Sequence, residues 1–240
     1  MMPRSNVNRV LALATVVFAA GCGSGVLDAG FPPIVTGGGG GGNGTVAAYT
    51  GAIADSLHRG ALAFTVSAGS SVSGLLTFVG GPTVPVTGSA DSATSSIIVT
   101  GSGYTLTGTT HTGTVQGTYT GPGGNGFFAA ASDTLTQMTH TTYCGTYASS
   151  NGTGNGWFSV VALSDGESAG FAVQTLGSAS SATFIGTTDF ILLTFSATTN
   201  LAVQATGSVS PDLQTITGSY APNIGATIGT GNFSATTGGC

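Results

Sequence analysis

The sequence predicts an all-β protein built as two small antiparallel up-and-down β-barrels in tandem, with two β-sandwiches as the alternative. Three observations lead there. Short runs alternate apolar and polar residues with period two, which covers a core on one side of a sheet. No amphipathic helical stretch occurs beyond residue 45. The same motif recurs at the start and end of two stretches of similar length.

The N-terminus has the grammar of an export signal over residues 1–21. Arg4 and Arg9 precede the apolar run "VLALATVVFAA", about half the roughly 20 residues of a spanning helix. Ala19-Ala20-Gly21-Cys22 resembles the lipobox of bacterial lipoproteins, with Ala19 where such boxes usually carry Leu. The resemblance covers these first residues only. It implies cleavage before Cys22 and several acyl chains on that cysteine, enough for stable anchoring where one chain is marginal. Gly23 follows where inner-membrane lipoproteins carry Asp, which implies the outer membrane if the host is Gram-negative. The alternative is ordinary secretion with an incidental cysteine.

Residues 22–45 hold "GGGGGG" at 37–42 and the pair Pro32-Pro33. They read as a flexible tether spanning roughly 25 Å on average. A phosphate-binding loop is the sharper reading, but no G-K-[ST] follows.

Residues 46–134 form the first β module. "GALAFTV" puts Leu62, Phe64 and Val66 on one face, and "YTLTGTT" puts Tyr104 and Leu106 there, opposite Thr105, Thr107 and Thr109. "VQGTYTGPGGNGFFAA" ends the module, with Phe128 and Ala130 in core phase. After a join at 135–141, residues 142–240 form the second module. It opens on "CGTYASSNGTGNGWFSV" and closes on "ITGSYAPNIGATIGTGNFSA", each reading Gly-x-Tyr, a glycine-rich loop, then an aromatic strand. "ILLTFSA" aligns Ile191, Leu193 and Phe195. The recurrence points to a tandem duplication, and Asn-Gly between the runs is hairpin chemistry.

About eight strands with short polar links suggest a meander, which hides its edges by closing. Cys144 lies in the first strand of module two and Cys240 just past the last. Cysteines pair in an oxidising compartment, and a Cys144–Cys240 bond brings those strands together as closure does. A transmembrane barrel is disfavoured, because the runs are short and their outward positions are Thr and Ser.

Chemistry is sparse. Without the signal the chain keeps one base, Arg59, no lysine and eight acids, so it cannot neutralise a nucleic-acid backbone. Asp55, Ser56, His58 and Arg59 share the loop "ADSLHRG", which reads as a solvated turn and less readily as a hydrolase site. His111 and His140 read as loop residues. Asp165 and Glu167 in "SDGES" read as a turn before a calcium site. Trp157 and Phe127 point away from the core, which marks either a contact surface or a face covered by the other module. Thr105, Thr107, Thr109, Thr114, Thr118 and Thr120 form outward polar rows, as solvent-facing strands do.

The expected function is a noncatalytic envelope lipoprotein presenting two duplicated modules for binding or structural support. No cofactor and no metal is expected. The partners are the membrane, through the lipid anchor, and a protein, glycan or small apolar ligand. The alternatives are a carrier with an apolar ligand in a barrel cavity and, further off, a secreted hydrolase.

Overall fold

The computed structural model describes residues 45–111, 113–132, 139–150, 152, 154–177, 181–222, 229–238 and 240. Cys22, the signal segment, the tether before residue 45 and part of the join lie outside the described residues.

The first eight strands are β1 (Thr45–Asp55), β2 (Arg59–Ser67), β3 (Ser71–Phe78), β4 (Thr83–Asp91), β5 (Ser96–Gly101), β6 (Tyr104–His111), β7 (Thr114–Gly121) and β8 (Gly124–Ala131). Each pairs antiparallel with the next, and β8 returns to β1 to close a barrel. The second set is β9 (His140–Ser149), β10 (Gly154–Leu163), β11 (Glu167–Gly177), β12 (Ala182–Asp189), β13 (Thr194–Thr199), β14 (Val203–Val209), β15 (Thr215–Pro222) and β16 (Gly231–Thr237). It closes in the same way through β16 and β9. The architecture is thus two closed eight-stranded meanders in tandem, and the sandwich alternative does not describe it.

Local chemistry explains the hairpins. Ser102 and Gly103 both have positive φ (48° and 84°), the backbone that a two-residue I′ turn requires between β5 and β6. Asp91, Asp165, Asp189 and Asp212 each accept the backbone N–H two residues ahead, from Ala93, Glu167, Ile191 and Gln214. The Asp189 turn corrects one expectation. Ile191 is 92% exposed, because Asp189 Oδ1 also takes the Leu192 N–H and holds residues 190–193 as the turn. Strand β13 starts only at Thr194, with Phe195 inward.

The recurring glycines make room for rings. The Phe128 ring lies over Gly108, where an added Cβ would sit 2.7 Å from it, and the Phe233 ring lies over Gly218 in the same way, at 2.6 Å. Leu62, Phe64, Val99, Leu106 and Phe128 belong to the core of barrel one. Phe158, Val160, Phe184, Phe195 and Phe233 belong to that of barrel two.

A third apolar layer joins the barrels from outside. Ala52 and Ala54 of β1 and Ala129 and Ala131 of β8 meet Val161 and Leu163 of β10 and Ala169, Phe171 and Val173 of β11. Both barrels fall within one compact unit. Polar contacts flank the layer. His111 Nδ1 lies 2.6 Å from Glu167 Oε1, Thr114 Oγ1 donates to the same oxygen at 3.4 Å, and His140 Nε2 lies 2.8 Å from Thr50 Oγ1. Thr114, expected on an open polar row, is therefore buried: it does face outward, but barrel two covers it. At the other end of the layer the Arg59 guanidinium sits 4.6 Å from the centre of the Trp157 ring.

These contacts align the barrel ends. The near end, where Thr45 begins β1, lies beside the turns β10–β11, β12–β13 and β14–β15. The far end carries the β1–β2 and β7–β8 turns and lies beside the start of β10.

Candidate functional site

The far ends of the two barrels differ, and the difference begins with Asp55. This carboxylate is 2% exposed. Its Oδ1 accepts the N–H groups of Leu57 (2.7 Å) and His58 (2.6 Å), and its Oδ2 accepts the Tyr119 hydroxyl (2.9 Å). His58 Nδ1 stands 3.3 Å from Oδ2. The loop is a turn, as expected, and Ser56, Leu57 and His58 are exposed. Asp55 is not solvated, because it is held by a tyrosine 64 residues away. The other side chains that meet this carboxylate and imidazole are the Tyr119 hydroxyl on Asp55 and the Phe78 ring, edge-on to His58. Phe78 stacks on Tyr104 at 5.3 Å and Tyr104 tilts against Tyr119 at 6.1 Å, so rings and a buried carboxylate close barrel one.

Register equates the barrels position by position. Ile53 opposite Phe128 corresponds to Tyr147 opposite Phe233. From there, Leu62 opposite Leu76 corresponds to Phe158 opposite Ala172, and Leu76 opposite Val84 to Ala172 opposite Ala182. Leu106 opposite Tyr119 corresponds to Ala205 opposite Tyr220. Leu76, Val84 and Leu106 thus become three alanines. The closing rings change too: Phe78 corresponds to Gln174, and Tyr104, two residues before Leu106, to Val203.

The three alanines line a cavity of about 50 Å³, counted as room for the centres of water-sized groups. A single buried water needs about 10–15 Å³ of occupied space, so the cavity is larger than one water. Phe158, Phe184, Phe233 and Val203 complete the apolar wall, and among the described residues Tyr147, Tyr220 and Thr199 are the lining residues that carry a hydroxyl. The rings are organised. Phe158 stacks on Phe233 at 4.5 Å and on Phe184 at 5.3 Å, and Tyr147 meets Tyr220 edge-on at 5.8 Å. The Tyr220 hydroxyl is bonded to Ser149, which stands where barrel one has Asp55. The Tyr147 hydroxyl is buried without a hydrogen-bond partner among the described residues.

Burial, with Tyr220 beside it, pushes the Tyr147 phenol up to about 12, and burial with Asp212 nearby does the same for Tyr143. Burial and the Asp55 bond raise Tyr119 further. In an unfolded chain these groups release protons near pH 10. Their stabilising effect is therefore complete below about pH 10 and lost as pH climbs through about 12. Thermal melts between pH 8 and 12 should show a midpoint that is flat below pH 10 and falls above it. A flat midpoint to pH 12 would contradict the burial of these phenols.

The other sequence-predicted residues fall elsewhere. Cys144 and Cys240 form a disulfide with Cα atoms 5.1 Å apart, and Cys144 borders the inter-barrel layer. Trp157 and Phe127 are half-buried against that same layer, so of the two readings the covered face describes where they sit. Asp165 caps its own turn, Glu167 holds His111, and His140 meets Thr50. The exposed ends are also unequal in charge. Asp91, Asp165, Glu167, Asp189 and Asp212 all stand at near-end turns, while the far end has Arg59 and the buried Asp55.

No protein-family model and no curated protein matches the chain. Among solved structures, intact Ap-TbpB with its N and C lobes is matched at 12% identity and a TM-score of 0.28, over 80% of this chain and 60% of that one. Burkholderia oklahomensis agglutinin is matched at 13% identity and a TM-score of 0.23, over 82% of this chain and 85% of that one. The chain thus spans less than two thirds of the first. At TM-scores of this size neither match transfers a function.

Proposed function

We propose that the protein is a noncatalytic envelope lipoprotein, anchored through Cys22, in which barrel one is a filled support and barrel two binds a small apolar ligand. One observation carries the binding role. Ala172, Ala182 and Ala205 stand where the sibling barrel has Leu76, Val84 and Leu106, and the space they leave is an apolar cavity with organised aromatic walls. An apolar pocket with a few converging polar groups is the usual form of a small-molecule site. Residues 19–22, Ala-Ala-Gly-Cys, support the anchor.

Alanine-methyl NMR of the full-length protein titrated with benzene or xenon tests the binding role. Shifts at Ala172, Ala182 and Ala205, with the alanines of barrel one unmoved, are the expected result. Equal response in both barrels, or none, contradicts it. The anchor is tested separately by mass spectrometry of the mature N-terminus, where an unmodified residue other than Cys22 would rule it out.

A further inference from the structure

The two ends of the molecule differ in what they expose. At the far end, Leu57 in the β1–β2 turn, Val79 in the β3–β4 turn and Leu176 near the end of β11 are each more than half exposed, and Leu201 in the β13–β14 turn is exposed to a lesser degree. One such side chain on a surface needs no account, but these come from both barrels and stand at one end. The segments that join the strands of barrel two at that end, 150–153, 178–181, 200–202 and 223–230, contain no charged residue. In barrel one the same end carries His58 and Arg59, and Asp55 there is buried. The near end also exposes Ile191, Leu192 and Leu213, but Asp91, Asp165, Glu167, Asp189 and Asp212 stand there. Hydrogen bonds from Thr94 and Ser210 hold the Asp91 and Asp212 carboxyls below the usual carboxylate range, so that end keeps its charge.

Resting on the anchor proposed above, we infer that the far end is a docking surface for the bilayer that holds Cys22, with Leu57, Val79, Leu176 and Leu201 seated among the lipid headgroups and upper acyl chains. Charge decides which end meets the lipid. Carrying the near-end acids into an interface costs more than burying Ile191 and Leu192 offsets, whereas the far end brings apolar and uncharged groups with one base. The chain length permits it. From Cys22 to Thr45 the chain can extend at most about 80 Å. The 11 residues of β1 span about 36 Å from the near end to the far end. Either end therefore reaches the membrane, and a contact too weak to hold a free protein becomes intramolecular once the chain is anchored. The cavity follows this orientation. Ala182 begins β12, Val203 begins β14 and Thr199 ends β13, all at the far end, so the bilayer lies on the side nearest the cavity. An apolar ligand that partitions into the membrane is then held next to it.

The test uses the full-length lipidated protein in phosphatidylcholine vesicles whose acyl chains carry bromine, a contact quencher of tryptophan. Flotation with the vesicles checks the anchor. Leu57→Trp and Leu176→Trp report the far end and Ile191→Trp the near end, each read against the parent protein with Trp157 alone. The added rings replace exposed side chains, so these variants are expected to fold. Quenching should be at least about twofold stronger in the two far-end variants than in Ile191→Trp, because a seated tip lies at acyl-chain depth. With Val79→Trp as reporter, adding Leu57→Asp and Leu176→Asp should remove most of the quenching and leave flotation unchanged; undiminished quenching there would overturn the apolar seat. If the protein floats and Ile191→Trp is quenched alone, or as strongly as the far-end pair, the inference is overturned while the anchor stands. If it floats and no reporter is quenched, the far end meets a protein partner or solvent, and the inference falls in the same way. If it does not float, the anchor falls and the inference with it.

Discussion

Replacing Leu106 by alanine should destabilise barrel one by about 2–5 kcal/mol, while the reciprocal Ala205→Leu should stabilise barrel two by about 0.5–2 kcal/mol. The two positions are register equivalents, opposite Tyr119 and Tyr220. Leu106 is fully buried among close-packed neighbours, so truncation leaves a void that the closed strands cannot collapse to fill. Ala205 borders a void that already exists, and a leucine side chain adds about the volume the cavity lacks. Ligand binding should vanish in Ala205→Leu, so that stability and binding move in opposite directions. The measurement is denaturant unfolding of each variant, with probe titration alongside. A clear loss of stability in Ala205→Leu would mean that the lining is already packed and the cavity is not a site.

Reduction of the Cys144–Cys240 bond is the second large effect. The bond spans 96 residues, nearly all of barrel two, and chain entropy puts such a crosslink at roughly 4–5 kcal/mol. Trp157 and Cys240 pack against the same layer, so Trp157 emission reports the loss directly. Reductant should lower the Trp157 midpoint and speed amide exchange in β12–β14. Barrel one has no cysteine, and its described residues in the inter-barrel layer come from β1 and β8, so the amides of β4–β6 should keep their protection. An unchanged Trp157 transition, or disulfide dimers on a non-reducing gel, would overturn the intramolecular bond as a stabilising link.

Much of the architecture was legible because it depends on local alternation. Leu62, Phe64, Tyr104, Leu106, Phe128 and Phe233 take the sides that period two assigns them. The Asp189 turn was missed because apolar Ile191 and Leu192 look like strand, and only the side chain of Asp189 shows that the backbone reverses. Asp55 was half legible: the turn chemistry is local, but its burial depends on Tyr119 across the sheet. The inter-barrel layer had a signal in the unbroken runs Ala129–Ala131 and Val160–Leu163, since strands covered on both faces lose their alternation. The cavity had none within a single strand. Ala172, Ala182 and Ala205 look ordinary until strand register sets each beside its counterpart in the other barrel.

The unequal make-up of the layer between the barrels bears on the order in which the chain acquires its structure. Barrel one is contiguous and closed by its own strands, so it can form as soon as Ala131 is available. Exported N-terminus first, as proposed above, barrel one stands alone until Cys240 arrives. During that wait its uncovered patch consists of the methyl groups of Ala52, Ala54, Ala129 and Ala131 with the Phe127 ring beside them. Most of the larger side chains, Val161, Leu163, Phe171, Val173 and Trp157, belong to the half that emerges last. They meet a finished surface as soon as their own strands form. The more adhesive side of the contact is thus displayed only briefly, and the half that waits carries a single ring among its methyl groups.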